Sequence, residues 1–297
     1  MSTESEGTFQ VGDVSLYTKT WTPTGPIHAK LILVHGFSDH VNWYSDLLRD
    51  LAKEGIQTFG FDQRGWGRSV KQPSDKGLTG PTSQVIADIA AFIQDKLPST
   101  EPLFVMGHSM GGGEVLTLAG DAQYEGLVSQ VRGWLLEAPF IGFAPEENPS
   151  FLKVAAGRLA GRLLPRFQLR HVIAADNITR DKEVALGMTN DPLCHDTGTL
   201  EGLASLLDRT AALAAGNVTL GKQVLALWLG HGDNDKACSH DVAVKFAEQQ
   251  AIEDKTIKTY KDGYHALHVD LVKAEFTKDV AKWILERSRP ALVEAKL

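Results

Sequence analysis

A serine flanked by glycines lies in the first half of the chain, in the run from Gly107 to Gly111. An apolar run, residues 103–106, precedes it, and a stretch that favours a helix follows it. This pattern is typical of a strand that turns sharply into a helix and exposes a nucleophilic serine. Glycines two positions before and after the serine remove side chains that would clash in so tight a turn. The sequence therefore predicts Ser109 as a nucleophile.

A base and an acid should follow the serine. A serine hydroxyl is a weak nucleophile at neutral pH, so it needs a base, which in turn needs an orienting acid. With a turn of this kind the order along the chain is serine, acid, histidine. The last predicted strand ends at Tyr260, and the loop length after it favours His265, with His268 as the alternative. The acid should lie after the preceding strand, where Asp235 is preferred over Asp233 because the carboxylate needs a few residues of loop to reach the imidazole.

Acyl transfer also needs backbone N–H groups that bind the developing oxyanion. One donor is expected from the residue after the nucleophile, which is Met110. The other is expected from the loop after the strand at residues 31–34, which selects Phe37. The sequence therefore predicts an oxyanion hole formed by the amides of Phe37 and Met110.

Alternating strand and helix patterns surround these positions. The predicted strands cover residues 31–34, 56–61, 131–137, 224–229 and 256–260, together with one that starts at Leu103. Most are separated by helical patterns, which indicates an α/β protein with a mostly parallel central sheet and helices on both faces. Residues 8–21 alternate apolar and polar around a Gly-Asp turn, which predicts an antiparallel hairpin at the sheet edge.

Residues 140–218 interrupt this alternation. They contain helical stretches and prolines but no convincing strand, which predicts an inserted helical cap over a core formed by residues 1–139 and 219–297. Within the insertion, residues 151–164 place apolar side chains on one helical face beside Lys153, Arg158 and Arg162. Such a helix could lie on a membrane surface or pack on the domain beneath it, and the sequence leaves both open.

Composition limits the classes of partner. The chain has 297 residues, of which 43% are apolar and 23% charged, and its net charge of -7 argues against a nucleic-acid binder. The two cysteines make no disulfide framework and match no metal spacing, which predicts a protein without a metal. The sequence shows no signal peptide or spanning segment, which predicts an intracellular protein. The terminal residues 295–297, Ala-Lys-Leu, are a conservative variant of a peroxisomal signal, the alternative being an ordinary frayed tail.

Five motifs together resemble the monoacylglycerol lipases of the α/β-hydrolase fold, and the match runs over most of the chain. They are His35-Gly36-Phe37-x-Asp39-His40, Asp62-x-x-Gly65-x-Gly67-x-Ser69, Gly107-His108-Ser109-Met110-Gly111-Gly112, Asn190-Asp191-Pro192-Leu193 and Gly263-Tyr264-His265-x-x-His268. Asp62 resembles an aspartate that fixes a loop in this family, and Arg64 is expected to pair with it.

The resemblance implies further properties of the site. Members of the family carry a helical cap that lines an apolar acyl channel and docks on membranes, and they act without a cofactor. Their contacts to the glycerol head map onto Asp39, Trp43 and His268, although Trp43 stands where the family has an arginine. Cys238 stands where similar lipases carry a thiol near the site, the alternative being a buried small hydrophobic residue.

The sequence thus predicts a serine hydrolase of carboxylic esters, above all of monoacylglycerols, that acts through an acyl-enzyme on Ser109. The same triad would also serve a lysophospholipase, a general carboxylesterase, a thioesterase or an acyltransferase. A ligand-binding protein that keeps the fold without turnover is the alternative from another class. The predicted partners are a lipid ester and a membrane or lipid-droplet surface that the cap contacts.

Overall fold

The computed structural model of the protein describes residues 1–145 and 151–289, without the side chains of residues 151–156. The strands are β1 (Ser2–Val11), β2 (Val14–Pro23), β3 (Ala29–Val34), β4 (Ile56–Phe61), β5 (Leu103–His108), β6 (Gly133–Glu137), β7 (Gln168–Arg170), β8 (Thr197–Thr199), β9 (Ala226–Gly232) and β10 (Asp254–Tyr260). The α-helices are α1 (Ser45–Lys53), α2 (Thr82–Asp95), α3 (Met110–Ala119), α4 (Glu125–Val128), α5 (Phe151–Leu163), α6 (Ala175–Ile178), α7 (Lys182–Asn190), α8 (Leu200–Ala214), α9 (His240–Gln249) and α10 (Lys273–Ser288). The tripeptide at residues 295–297 lies outside this description.

Eight of these strands form one sheet in the order β1-β2-β4-β3-β5-β6-β9-β10. Strand β2 pairs antiparallel with β1 and β4, and the neighbouring pairs from β4 to β10 are parallel. This confirms the predicted mostly parallel sheet with an antiparallel hairpin at its edge. Strand β1 begins at Ser2, six residues before the predicted hairpin. The exposed edge explains the difference, because backbone pairing with β2 requires no apolar side chains from β1.

Helices cover both faces of the sheet. Alternate residues of β3 point to opposite faces, so Leu31 and Leu33 pack with α1 and α10, whereas Ile32 and Val34 pack with α2, α3 and α9. All four side chains are fully buried. A sheet buried on both faces explains the continuous apolar runs in the sequence of its central strands.

The parallel strands direct their carboxyl ends to one edge of the sheet. The loops that follow β3, β5, β6, β9 and β10 all begin there. In sheets of this type, ligand sites form at that edge. The loops after these strands therefore bring residues that are far apart in sequence to one place.

The insertion between β6 and β9 contains α5 to α8 and also β7 and β8, which form a two-stranded antiparallel sheet. The expectation that this segment contains no strand is therefore wrong. Each strand is three residues long, which is too short to show a readable alternation. None of the described helices has both the length and the apolar character that crossing a membrane requires.

Helix α3 approaches β3 very closely at Gly111. A Cβ atom at this position would lie 2.6 Å from the carbonyl oxygen of His35 and would also overlap that of Val34. Both obstacles are backbone atoms of the central sheet, so a side-chain rotation cannot relieve the clash.

We expect Gly111→Ala to lower the free energy of unfolding by about 1–3 kcal/mol, the usual cost of overpacking. Gly126→Ala is the matched control, because Gly126 lies in α4 with open space around its Cα. That change should leave the free energy of unfolding unchanged or raise it by up to about 1 kcal/mol. Urea denaturation measures both values, and equal stabilities of the two variants would contradict the close approach.

Candidate active site

Ser109 lies in the turn between β5 and α3 with φ 54° and ψ -118°. This is a strained conformation for a residue with a side chain, and it persists only where the surroundings hold it. The Ser109 N–H donates to the carbonyl oxygen of Glu137 at 3.0 Å, and the Ser109 carbonyl accepts from the N–H of Phe140 at 2.8 Å. The end of β6 and the residues after it thus hold the turn from both sides.

His265 and Asp235 meet at the carboxyl edge of the sheet. Nδ1 of His265 lies 2.8 Å from Oδ2 of Asp235, and both side chains are buried. Asp233, the alternative acid, instead accepts a hydrogen bond from the N–H of Asp262 at 2.6 Å. Of the two aspartates in this loop, the structure brings Asp235 to the histidine.

Asp235 receives three further hydrogen bonds. Oδ1 accepts from the backbone N–H groups of Ala237 at 2.8 Å and Cys238 at 2.9 Å, and Oδ2 accepts from Nε2 of His231 at 2.9 Å. Burial favours the neutral acid, but the charge and hydrogen bonds of His265 and His231 outweigh it and lower the pKa of Asp235. Asp235 is therefore an ionised carboxylate with a fixed orientation.

The Asp235 carboxylate in turn controls the charge of His265. Burial alone would lower the pKa of this imidazole, but the adjacent carboxylate raises it well above its usual range. Because Nδ1 of His265 is engaged with Asp235, Nε2 is the ring atom left to exchange a proton with a hydroxyl. This is the arrangement that a histidine base requires.

Ser109 and His265 line a cavity of about 660 Å³ between the sheet edge and the insertion. Phe37, Asp39 and His268 also line it. Much of the remaining wall is apolar and comes from the insertion, with Val172, Ile173, Ala174, Ala175, Ile178, Ala185, Leu186 and Met188. The insertion also lines the cavity with four charged residues, Arg170, Asp176, Lys182 and Asp196. The structure thus brings five of the predicted residues to one cavity.

The two amides predicted to bind an oxyanion are both close to the nucleophile in the structure. Met110 is the first residue of α3, directly after Ser109, and Phe37 lies in the loop after β3. Among the hydrogen bonds of the described chain, neither the Phe37 N–H nor the Met110 N–H donates to a protein acceptor. The Met110 N–H lies at the N-terminus of α3, where negative charge is favoured, and the Phe37 N–H supplies a second donor from the loop, which is what an oxyanion hole needs.

Of the three residues that the resemblance assigned to a polar head group, two line the cavity and one does not. Asp39 lines the cavity, but its Oδ2 accepts from the hydroxyl of Tyr44 at 2.6 Å. His268 also lines the cavity. Trp43 lies outside the cavity wall, where its ring contacts the position of Gly187 on α7. The structure therefore brings Asp39 and His268, but not Trp43, to Ser109.

Several buried polar residues at the site had no signal in the sequence. Glu137 hydrogen-bonds His268 at 2.7 Å, Tyr44 hydrogen-bonds His108 at 2.7 Å, and His231 contacts Asp235 as described above. Each lies on a strand or helix next to apolar neighbours, where a single polar residue shows no periodic pattern. Only the packing of distant elements reveals that they surround the triad.

Cys238 follows Asp235 by three residues and is buried. Burial raises the pKa of its thiol, although contacts with the side chains of His265 and Ser109 oppose this. The thiol thus lies beside the predicted triad, as the resemblance implied.

Three groups of described side chains bring candidate metal-ligating atoms within 4.8 Å of one another. They are His40, Asp191 and Cys194; His108, Glu137 and His268; and Asp235, Cys238 and His265. Each group contains a histidine–carboxylate hydrogen bond of 2.7–2.9 Å, which accounts for the proximity of two of its three members.

Comparison with known proteins supplies independent information. A model of the family described as serine aminopeptidase, S33, matches residues 25–271. A putative monoglyceride lipase of Schizosaccharomyces pombe is 33% identical over 282 residues, which cover 93% of this chain and 72% of that protein. The monoglyceride lipase of Homo sapiens is 26% identical over 287 residues, which cover 93% of this chain and 88% of that protein.

Solved structures give the same fold. A soluble variant of the monoglyceride lipase of Saccharomyces cerevisiae, in complex with a substrate analog, superposes with a TM-score of 0.85 at 21% identity, covering 97% of both chains. The monoacylglycerol lipase of Paleococcus ferrophilus superposes with a TM-score of 0.78 at 24% identity, covering 92% of this chain and 99% of that one. These likenesses identify the α/β-hydrolase fold.

The pH dependence of catalysis should report the Asp235–His265 pair. Only neutral His265 can accept a proton, so kcat/KM should fall as the pH decreases through a pKa above the usual value of 6.5. Asp235→Asn removes the charge that raises this pKa. We therefore expect the acidic limb to move to lower pH and kcat/KM at alkaline pH to fall by about 10³–10⁴-fold.

Asp233→Asn is the matched control, because asparagine can still accept the hydrogen bond from Asp262. It should leave the limb in place and change kcat/KM by less than about threefold. Hydrolysis of a short nitrophenyl ester, followed from about pH 5 to about pH 9, measures both quantities. Loss of activity in Asp233→Asn with activity retained in Asp235→Asn would reverse the assignment.

Proposed function

This chain belongs to the monoglyceride lipase family of α/β-hydrolases, and we propose that it hydrolyses monoacylglycerols to a fatty acid and glycerol. The broader family relation makes it a serine ester hydrolase. What we propose beyond this relation is that the substrate is a monoglyceride and that the reaction passes through an acyl-enzyme on Ser109.

The observation that carries the proposal is the cavity, whose lining has an aliphatic part and a polar part. Its volume of about 660 Å³ falls in the range of sites that enclose one small-molecule ligand. The aliphatic residues of the insertion suit an acyl chain, while Asp39 and His268 lie with Ser109 on the wall of the same cavity. A lipid with one chain and a small polar head matches both parts.

The proposed reaction begins with proton transfer from Ser109 to Nε2 of His265 as the hydroxyl attacks the ester carbonyl carbon. Asp235 holds Nδ1 of the ring and stabilises the imidazolium that forms. The carbonyl oxygen becomes an oxyanion, which the N–H groups of Phe37 and Met110 bind.

The tetrahedral intermediate then collapses. The bond to the glycerol oxygen breaks, and the imidazolium of His265 returns a proton to that oxygen, which releases glycerol and leaves the acyl group on Ser109. Water attacks the acyl-enzyme by the same steps, with His265 again as the base, and releases the fatty acid. In this proposal the protein's own groups move every proton.

We expect the wild-type enzyme to release fatty acid from 1-monooleoylglycerol faster than from dioleoylglycerol or lysophosphatidylcholine, because the cavity has room for one chain and a small head. Ser109→Ala should lose this activity by at least about 10⁴-fold. The matched control is Ser129→Ala, since Ser129 is exposed after α4, and it should remain within about twofold of wild type.

The substrate panel also includes a short nitrophenyl ester, which separates the triad from the substrate class. Hydrolysis of the short ester alone would support the roles of Ser109 and His265 but contradict the monoglyceride. A wild type that cleaves none of the esters and does not react with a fluorophosphonate would contradict enzymatic turnover.

We further propose that the insertion contacts a lipid surface. From the last turns of α5 to residue 172, a set of side chains is apolar and exposed. This set, here called the cap apolar row, comprises Leu159, Leu163, Leu164, Phe167, Leu169 and Val172. Exposed arginines Arg162, Arg166 and Arg170 alternate with it. Apolar side chains bordered by basic ones are typical of surfaces that lie at the boundary of anionic lipid.

The cap apolar row is continuous with the cavity. Val172 is 60% exposed and also lines the cavity that contains Ser109. Helix α5 packs on α8 near Gly161 and through an ion pair of 2.6 Å between Arg158 and Asp208, while Leu159 and Leu163 of the same helix stay exposed. A lipid substrate could therefore pass from the contacted surface into the cavity.

Binding to vesicles that contain anionic lipid tests this surface. Leu163→Ser combined with Phe167→Ser should weaken binding by at least about tenfold, because each residue contributes buried apolar area in the bound state. Leu271→Ser is the matched control, since Leu271 is 64% exposed but lies outside the insertion, and its binding should stay within about twofold of wild type. Equal binding of both variants would contradict contact through the cap apolar row.

A further inference from the structure

Two acid–histidine pairs are buried beside Ser109. The first, Asp235 with His265, belongs to the proposed triad. The second is Glu137 with His268, and Glu137 takes no part in the steps described above. Glu137 is the last residue of β6 and is fully buried, while His268 lines the cavity.

We propose that Glu137 is a positioning residue: it orients His268, which the resemblance already assigns to the glycerol head, so that Nε2 of His268 accepts a hydrogen bond from a free hydroxyl of the substrate. This rests on the proposed function and deepens it, because it names the feature by which the enzyme selects among esters of the same fatty acid. The ligand chemistry is a hydroxyl donor on the alcohol part of the ester.

The hydrogen bonds of Glu137 define the orientation of the ring. Its Oε1 lies 2.7 Å from Nδ1 of His268 and accepts from the His268 backbone N–H at 3.0 Å. A carboxylate can only accept, so the ring proton must be on Nδ1. In the neutral ring this leaves Nε2 with a lone pair and no proton. The Tyr44 ring stacks on His268 at 4.1 Å and restricts its rotation.

A second histidine, His108, lies beside this pair. The Tyr44 hydroxyl lies 2.6 Å from Oδ2 of Asp39, which can only accept, and 2.7 Å from Nδ1 of His108. The Tyr44 proton therefore goes to Asp39, and Nδ1 of His108 donates to the Tyr44 oxygen. Burial lowers the pKa of His108 well below the usual range, although a hydrogen bond between its ring and the His265 backbone opposes this.

The hydrogen bonds of Glu137 and His268 leave more buried acceptors than donors near Ser109. Nε2 of His268 and Oε2 of Glu137 are buried acceptors without a hydrogen-bond partner within the described chain, and His108 lies beside them. Each of the three residues places one of its polar atoms within 4.8 Å of the other two. Buried acceptors without donors are costly, so the group that completes this place must bring O–H or N–H donors.

The excess of acceptors discriminates between candidate substrates. A monoglyceride carries two free hydroxyls on its alcohol part, whereas a methyl ester carries none. A lysophospholipid keeps one free hydroxyl, but its anionic phosphodiester replaces the other and offers acceptors to a place that already lacks donors. A site that hydrogen-bonds a hydroxyl rejects analogues that lack it more strongly than an apolar pocket does.

The test compares 1-monooleoylglycerol with methyl oleate, which share one acyl chain. The measured quantity is the ratio of their kcat/KM values. Glu137→Met removes the acceptor and should reduce this ratio by about tenfold, as expected for the loss of one buried hydrogen bond. Glu137→Gln keeps an oxygen that can accept from Nδ1, so it should preserve the ratio within about threefold.

Three further variants connect the effect to His268 or control for it. His268→Phe should reduce the ratio as much as Glu137→Met, and the double variant should reduce it no further, because both changes remove the same hydrogen bond. Glu125→Met in exposed α4 is the control for an unrelated loss of a carboxylate and should leave the ratio unchanged. Additive losses, or a ratio that Glu137→Met does not alter, would overturn the proposal.

A measurement on the unmodified protein keeps the proposal testable even where Glu137→Met fails to fold. Spectra of ¹⁵N-histidine protein, with His268 identified by its loss in His268→Phe, report which ring nitrogen carries the proton. We expect a proton on Nδ1 and none on Nε2, whereas a proton on Nε2 would overturn the proposal. A wild type without monoglyceride hydrolysis would instead contradict the proposed function itself, so the two failures are distinguishable.

Discussion

Close packing at the turn around Ser109 is the constraint on which the rest of the site depends. Gly107 and Gly111 approach backbone atoms so closely that neither position has room for a Cβ atom. The turn is also tied to β6, since the Ser109 N–H donates to the carbonyl of Glu137. A strained residue of this kind costs about 1–3 kcal/mol and persists only because the surrounding sheet fixes it. The ends of three adjacent strands therefore determine where the nucleophile lies.

Buried carboxylates are a second constraint on the site, because they orient the side chains around them. Asp235, Glu137 and Asp39 lie at the sheet edge, and their partners are histidine, tyrosine and backbone N–H groups rather than lysine or arginine. Removing a carboxylate from water is costly unless hydrogen-bond donors surround it. The carboxylates therefore orient the neighbouring rings and determine which ring nitrogen of each histidine carries the proton. Because each of these partners is neutral or can release its proton, no permanent positive charge lies beside the nucleophile.

The insertion is attached to the loop that carries the proposed base. The Ala266 N–H donates to the carbonyl of Ile178 at 2.9 Å, and Arg180 pairs with buried Asp270 at 2.6 Å. Farther away, Arg209 of α8 pairs with Glu114 of α3 at 3.0 Å. Burial raises the pKa of Glu114 to about 7, although the charge of Arg209 lowers it. Movement of the insertion would thus act directly on the loop between Tyr264 and Asp270. This links access of a lipid to the geometry of His265.

The sequence by itself determined the sheet, the turn at Ser109 and the family, because each depends on local patterns: apolar runs, glycines at fixed offsets and loops of fixed length. The same signals proposed Asp235 and His265, whose catalytic roles remain predictions, but they left Asp233 open until the hydrogen bond to Asp262 separated the two acids. They also failed for Arg64, which was expected to pair with Asp62.

Tertiary structure decided what local patterns do not encode. Asp62 accepts from the backbone N–H groups of Val41 and Arg68, so Arg64 instead pairs with Asp88 on α2 at 2.7 Å. Glu137 and His268 are separated by 131 residues, yet strand order places them in contact. A single buried polar residue on an apolar strand has no periodic signal, and its role depends on which distant element packs against it. For that physical reason the nucleophile could be predicted from the sequence, whereas the buried partners that surround it could not.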